Sequence, residues 1–449
     1  MKGITDKRYR GGEDGAVLVI VILILVAITG IVMGVSSISV NETQLASNEK
    51  LDKKVFYLTE GGVEKTLKYL AGLSVPFKGS GVNRDQPVQL FNEQPIYGIG
   101  KVTSYIDPLD SNSGETTRFV GVTVRGTLDG SGITKVLRVK VGQQNFSRYS
   151  YFSDMEKSPG GTTIWWYDHD ELHGPVHTND QLHIHGNPTF YDEVASAASS
   201  VDYYHGGPPQ DNPDFREGLT LDASVIPLPA NTDMLYNAAN ESGGLQLNGN
   251  PVHIEFDFDG SNNRIVRVTV SGTTTDMNYP SNGVIYVNGN AEVEGMVRGQ
   301  VTVGCSGTIR VTDNLVYETD PRTDPTSNDY TGLVAEQNVL VAYNSANWDS
   351  GDETIMAAIM ALNTSWEAEN YSSGSPRGKL IVYGGIIQAQ RGPVGTFNSY
   401  GIVSGYEKDY SFDERLLDNP PPAFPTTGQV EKVSWTELDP STDITANFW

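Results

Sequence analysis

Six of the seven histidines, His169, His173, His177, His183, His185 and His205, fall in one stretch, with Asp168, Asp170, Glu171, Asp180, Asp192 and Asp202 among them. Imidazole nitrogens and carboxylate oxygens are the donors a divalent metal takes from a chain whose single cysteine cannot build a thiolate site. In an extended run, residues two apart share a face, so His183 and His185 would reach one ion, with His177 as the third candidate ligand. The HExxH pattern of a helical zinc site is absent, and HGPVHTND carries a proline and turn residues that break any helix. The competing reading makes these side chains polar members of turns and of a solvated strand face, with nickel or zinc bound only adventitiously. No cofactor is required, and a divalent metal is the alternative.

Other chemistry has less to stand on. DFDGSNNR, Asp257 to Arg264, has the acidity of a calcium loop, but Val268 occupies the position of the terminal bidentate glutamate. The flanking HIEF and IVRVTV make it a β-hairpin turn. No GxSxG elbow is present, and the single cysteine, Cys305, sits in VTVGCSGTI, where a small buried residue belongs. The pairs Asp168 with Asp170 and Asp257 with Asp259 would serve glycoside cleavage only if each faced one cleft about 5–9 Å apart. Neither a phosphate-binding GxxxxGK[ST] loop nor a GxGxxG motif occurs. A non-enzymatic protein is expected. With 31 Lys and Arg against 55 Asp and Glu in 449 residues, a net charge of -24, nucleic acid is not an expected partner.

The element that must position everything else lies at the front. From Ala16 to Asn41 no side chain is charged, and Ala16 to Val35 is long enough, at about 1.5 Å per residue, to span the hydrocarbon layer. The membrane-buried face includes Val17, Leu18, Ile20, Ile22, Leu23, Leu25 and Ile28. Lys2, Lys7, Arg8 and Arg10 precede it, which puts the amino terminus in the cytoplasm and the rest outside as a single-pass membrane protein. Leu45, Leu51, Val55, Leu58, Val63, Leu67 and Leu70 continue as an amphipathic stripe, with Gly61-Gly62 as a potential kink.

The basic leader ending in Gly15, the segment AVLVIVILIL and LASNEKLDKKVFYLTEGGVEKTL resemble the PilX-type minor pilins of type IV pili over residues 8 to 70. The resemblance implies cleavage between Gly15 and Ala16 by the prepilin peptidase and methylation of the new terminus. It also implies other pilins and minor pilins, the inner-membrane pilus assembly platform and the membrane as partners, and a final place in the pilus fibre at the cell surface. One departure is Ile20, where major pilins carry a glutamate at the fifth mature position. A chain without it lacks one docking contact, which favours an exposed or terminal place in the fibre.

The expected fold is α+β: the long helix packed on a small antiparallel sheet, then a mostly β domain of parallel β-helix or solenoid type. PVQLF, IYGIGKVTSYI, TRFVGVTVRGTL and ITKVLRVKVG read as four strands, with Val120, Val122 and Val124 on the apolar face. Short runs punctuated by Gly or Asn, as from Asn282 to Tyr317, read as rungs. ETIMAAIMALNTSW from Glu353 has helical spacing and is expected to be a helix on that coil. GPVHTNDQLHIHGNPTF, IYVNGNAEVEG, GGIIQAQRGPVGTF and DERLLDNPPPAFP are similar to an uncharacterised bacterial exported domain found behind PilX-type helices, and the proline run should close it. The organisation is thus 1–15 leader, 16–72 helix, 73–147 pilin-like sheet and 148–449 exported domain. The expected function is that of a minor pilin in or at the tip of the fibre, supporting assembly and adhesion. The alternatives are a type II secretion tip pseudopilin or a membrane-anchored β-helix enzyme acting on polysaccharide.

Overall fold

A computed structural model describes residues 13–73, 87–108, 119–349, 351–398 and 401–446. The basic charges of the leader and the turn DSNSGE lie outside the described residues. One helix, α1, runs unbroken over Glu13–Ala71, 59 residues. Its last third packs on a sheet built from β1 (Val88–Ile96), β2 (Gly100–Pro108), β3 (Phe119–Leu128) and β4 (Thr134–Asn145). These four strands pair antiparallel in chain order. Val120, Val122 and Val124 are fully buried against Leu58, Val63, Leu67 and Leu70 of the helix stripe.

Gly61-Gly62 does not break the helix, because it is where the helix comes closest to the sheet. A Cβ on Gly62 would lie 2.8 Å from Val124 Cγ1 and 3.0 Å from Val102 Cγ1, both on buried side chains. Gly61 meets Tyr97 at 3.1 Å, an exposed ring free to swing away, and Ile96 Cγ2 at 3.6 Å, an ordinary van der Waals contact. Gly61→Ala is therefore expected to stabilise the protein by up to about 1 kcal/mol through helix propensity. Gly62→Ala should destabilise it by about 1–3 kcal/mol through overpacking, and paired thermal melts check the opposite signs.

The sheet has a fifth member. Thr426–Leu438 returns from the far end of the chain and pairs antiparallel with β4. Lys135 Nζ on β4 joins Asp52 of α1 at 2.9 Å and Glu437 of this strand at 2.5 Å. The expected unit 148–449 is thus corrected: its final strand completes the helix-bearing sheet, and the residues before it form an insertion between two neighbouring strands. The DNPPPAFP segment lies between the last strand of the inserted region, Gly401–Ser411, and this returning strand. Phe424 is buried in one cluster with Phe146 and Phe152, Asn145 Nδ2 donates to its carbonyl at 2.7 Å, and the chain then turns back into the sheet.

The inserted region is β-rich, and most of its pairings are parallel. One ladder runs in spatial order through Leu245–Asn248, Val284–Asn288, Gln300–Cys305, Tyr330–Ala335, Glu353–Ala361, Pro376–Gln390, Tyr151–Met155, Val176–Thr178, Val194–Ser196 and Leu219–Thr220. A second joins Val252–Phe258, Ala291–Val297, Ile309–Tyr317, Val339–Val341 and Trp366–Ala368. The chain enters the first ladder in its middle: Tyr151–Met155 pairs with Ile386 to Gln390, more than 230 positions away by residue number. Two short ladders flank the first half, Trp166–Tyr167 with His183–His185 and Asp202–Tyr203, and Glu171–Leu172 with Thr189–Phe190 and Asp214–Phe215.

The segment from Glu353 is a strand, Glu353–Ala361, which corrects the expected helix. Its wall is covered on both sides. Ile355, Ala357 and Ile359 enter one core cluster, while Ala358 and Met360 enter the other.

Candidate functional site

Two surfaces carry the functional potential of the chain. The first is the exposed half of α1. Residues Val17 to Lys50 are exposed throughout, a rod of about 50 Å. Ile20, Ile24 and Ile28 are each more than half exposed, as are Val17, Leu18, Ile22, Leu23 and Leu25. The Gly15–Ala16 bond falls within the first turn of the helix. Among the described residues one helix is long and apolar enough to cross a membrane, and it is this one. Covering each such side chain with lipid or with another helix is worth roughly 1.5–3 kcal/mol, so the rod is made to be covered. Thr29 and Thr43 bond their hydroxyls back to Leu25 and Ser39 carbonyls at 2.6 and 2.8 Å, which satisfies both threonine donors within the helix. Charge resumes at Glu42, and the first ion pair on the rod is Lys53 with Glu49, at 2.7 Å, among the described residues.

The second surface is the histidine region. His177 is buried at 3% exposure, stacks on Phe152 with centroids 5.2 Å apart, and shares a hydrogen bond with Asn179 Oδ1 at 3.0 Å. Burial lowers its pKa, so it stays neutral in the fold. His183 and His185 do share one strand. His183 Nδ1 meets Asp202 Oδ2 at 2.7 Å, whereas His185 stacks on Tyr204 at 4.2 Å. His205 Nδ1 meets the buried Asp211 Oδ1 at 3.0 Å, and His173 stacks on Tyr191 at 3.9 Å. His169 lies edge-on to Tyr167 at 6.5 Å. Each imidazole is thus engaged by an aromatic ring or by a polar partner. Among the described residues no group of three or more His, Cys, Asp or Glu side chains is placed to hold a metal ion.

The remaining candidates sort as follows. Asp257 to Arg264 is the turn of an antiparallel hairpin, Val252–Phe258 with Arg264–Val270, and Asp259 caps it by accepting from the Ser261 and Asn263 amides at 2.8 Å. Asp257 is tied to Arg267 at 2.7 Å instead of facing a cleft. Cys305 is buried, and burial pushes its thiol up to about 12, which removes thiolate chemistry near neutrality. Two buried features give no local sequence signal. One is the buried ion pair Arg391–Glu156, which joins residues far apart in the chain. The other is Glu353, fully buried with neither carboxylate oxygen partnered.

Comparison with known proteins bears on the rod first. Residues 14–64 match the family described as PilX N-terminal. Residues 110–199 match a domain of unknown function, DUF4900. The amino-terminal segment is that of a type IV pilin-like protein, and a large additional β-rich region follows it. No curated protein matches the chain. Among solved structures, the crystal structure of the competence-associated pilin ComZ from Thermus thermophilus aligns with 86% of this chain and 96% of its own, at 12% identity and a TM-score of 0.37. A score that low does not establish a shared fold.

Proposed function

We propose that the chain is a minor pilin of a type IV pilus, structural and not catalytic. It is held in the inner membrane by α1 with its amino terminus in the cytoplasm. It is released by prepilin peptidase cleavage between Gly15 and Ala16 and methylated there. The assembly platform then passes it into the fibre among other pilins, in or at the tip. The observation that carries this is the rod itself: an uncovered apolar helix continuous with one clamped on a sheet. Lipid and a bundle of like helices cover the same face, so the transfer needs no refolding. The two parallel ladders coil as a parallel β-helix displayed outside that bundle, where it supports assembly and adhesion. Ile20 in place of an acidic residue and an insertion of nearly 300 residues both favour low copy number over a repeating position.

Gly15→Ala is the test. The expected result is an unprocessed chain, retained at full length by mass spectrometry, and its loss from sheared pili. Processed product or normal incorporation in that strain overturns the proposal.

A further inference from the structure

We propose that the outer face of the short ladder Trp166–Tyr167, His183–His185 and Asp202–Tyr203 is a binding platform for an extended glycan bearing free amino groups. The three strands are in register, Tyr167 beside His185 and Asp202 beside His183, with Ile184 between Trp166 and Tyr203. Side chains alternate along each strand, so Trp166 and Ile184 go into the core and Tyr167 and His185 go outward, while His183 stays buried at 7% exposure. Tyr167 and His185 lie 4.7 Å apart and His185 and Tyr204 4.2 Å apart. Trp165 adds edge contacts to Tyr204 at 5.2 Å and to His183 at 5.3 Å. Tyr167 is 46% exposed and Tyr204 57%, so both side chains are open to solvent.

The rings are held before any ligand arrives. Asp202 fixes His183, and the fully buried Asp211 fixes His205 by its ring and its amide while accepting from the Gly186 amide at 2.9 Å. Gly186 has a φ of +85°, and a Cβ there would collide with the Asp168 carboxylate, so glycine is what lets Asp168 sit beside the row. Such preorganisation lowers the entropic cost of binding.

Charge selects the occupant. From Trp165 to Glu217 there are ten Asp and Glu against one Lys or Arg, Arg216, besides the six histidines, and Lys408 from outside the stretch pairs with Asp170 at 3.4 Å. Arg216 is already engaged, 3.9 Å over the Tyr191 ring and 3.2 Å from Asp214. Asp168 is exposed, and the Asp202 side chain is 44% exposed. A phosphorylated, sulfated or uronate polymer is repelled here. An ammonium group is attracted both by the carboxylates and by the ring faces. Rings interleaved with hydrogen-bonding imidazoles match a sugar, which offers C–H faces and hydroxyls, better than a hydrocarbon surface. Because the row crosses three rungs about 4.8 Å apart, it suits a chain and not a single residue.

The inference extends the displayed-domain proposal above, and its test is separate. The full-length protein in detergent micelles is titrated with glucosamine oligomers, with N-acetylglucosamine and glucose oligomers, oligolysine and heparin as comparators. Glucosamine oligomers should bind and heparin should not. Tyr167→Ala or Tyr204→Ala should weaken binding about tenfold with the melting temperature unchanged. Asp202→Asn, which keeps a partner for His183, should weaken it about threefold and flatten its salt dependence. Absence of glycan binding, or binding indifferent to these substitutions, overturns the inference. Equal binding of the N-acetylated oligomers removes the amino group from it, and equally sensitive oligolysine binding makes the partner a basic protein. Normal piliation in the Tyr204→Ala strain alongside a failed titration would sink this inference and leave the pilin proposal standing.

Discussion

Arg391→Ala is expected to cost about 3–5 kcal/mol of stability, the largest loss from any single substitution considered. Arg391 Nη1 lies 2.8 Å from Glu156 Oε2, and both side chains are almost wholly inaccessible. The guanidinium also lies 3.8 Å from the centroid of Trp166 and donates to the Ile164 carbonyl at 3.1 Å. Its position gives the pair its weight. Arg391 follows the strand Pro376–Gln390 and Glu156 follows Tyr151–Met155, the two strands that join the early and late halves of the long ladder. Truncating Arg391 leaves a buried carboxylate whose remaining partner is Ser153. Arg391→Met with Glu156→Gln removes both charges and should recover most of the loss, because two desolvation penalties disappear with the attraction. Urea denaturation of the two single variants and the double closes the cycle; additive losses would show that the pair is not coupled. Because Trp166 underlies Tyr167, the Arg391→Ala protein should also be cleaved faster by protease near residues 160 to 170.

What could be read from the residues follows the range of the interactions. The apolar rod, the stripe from Val55 to Leu70 and the strands β1 to β4 are local patterns, and the valines expected on the buried face are buried. The strand Thr426–Leu438 was hidden because its partner, β4, lies nearly 300 positions earlier, and its own composition, TTGQVEKVSWTEL, is mostly exposed and polar. The same distance hid the Arg391–Glu156 pair. Glu353–Ala361 misled for another reason. A strand covered on both faces loses the alternation that marks a half-buried one, and Met356, Ile359 and Met360 then fit a helical period equally well. The histidines were legible as a cluster but not as a site. Register decides that His185 meets Tyr204 and His183 meets Asp202, and register across short strands is set by corners such as Gly186, whose role appears only beside Asp168.

Glu353→Gln should stabilise the protein at neutral and alkaline pH. Glu353 opens the strand Glu353–Ala361 with no exposed surface and no hydrogen-bond partner for either oxygen, and Asn347, also buried, has an unpartnered Oδ1. Burial, reinforced by the nearby carboxylates of Asp313 and Glu294, pushes its pKa from 4.5 up to about 8. The folded chain therefore keeps a proton that the unfolded chain releases above pH 4.5. Wild-type stability must then fall as the pH rises from 4.5 to about 8 and level off beyond it. An amide of the same shape has no proton to lose and escapes that fall. The advantage of Glu353→Gln should be small at pH 4 and on the order of 4 kcal/mol at pH 8. Denaturant midpoints of the two proteins across that range provide the measurement. Curves that stay parallel from pH 4 to 8 would mean that Glu353 is ionised in the fold, with a compensating cation bound beside it.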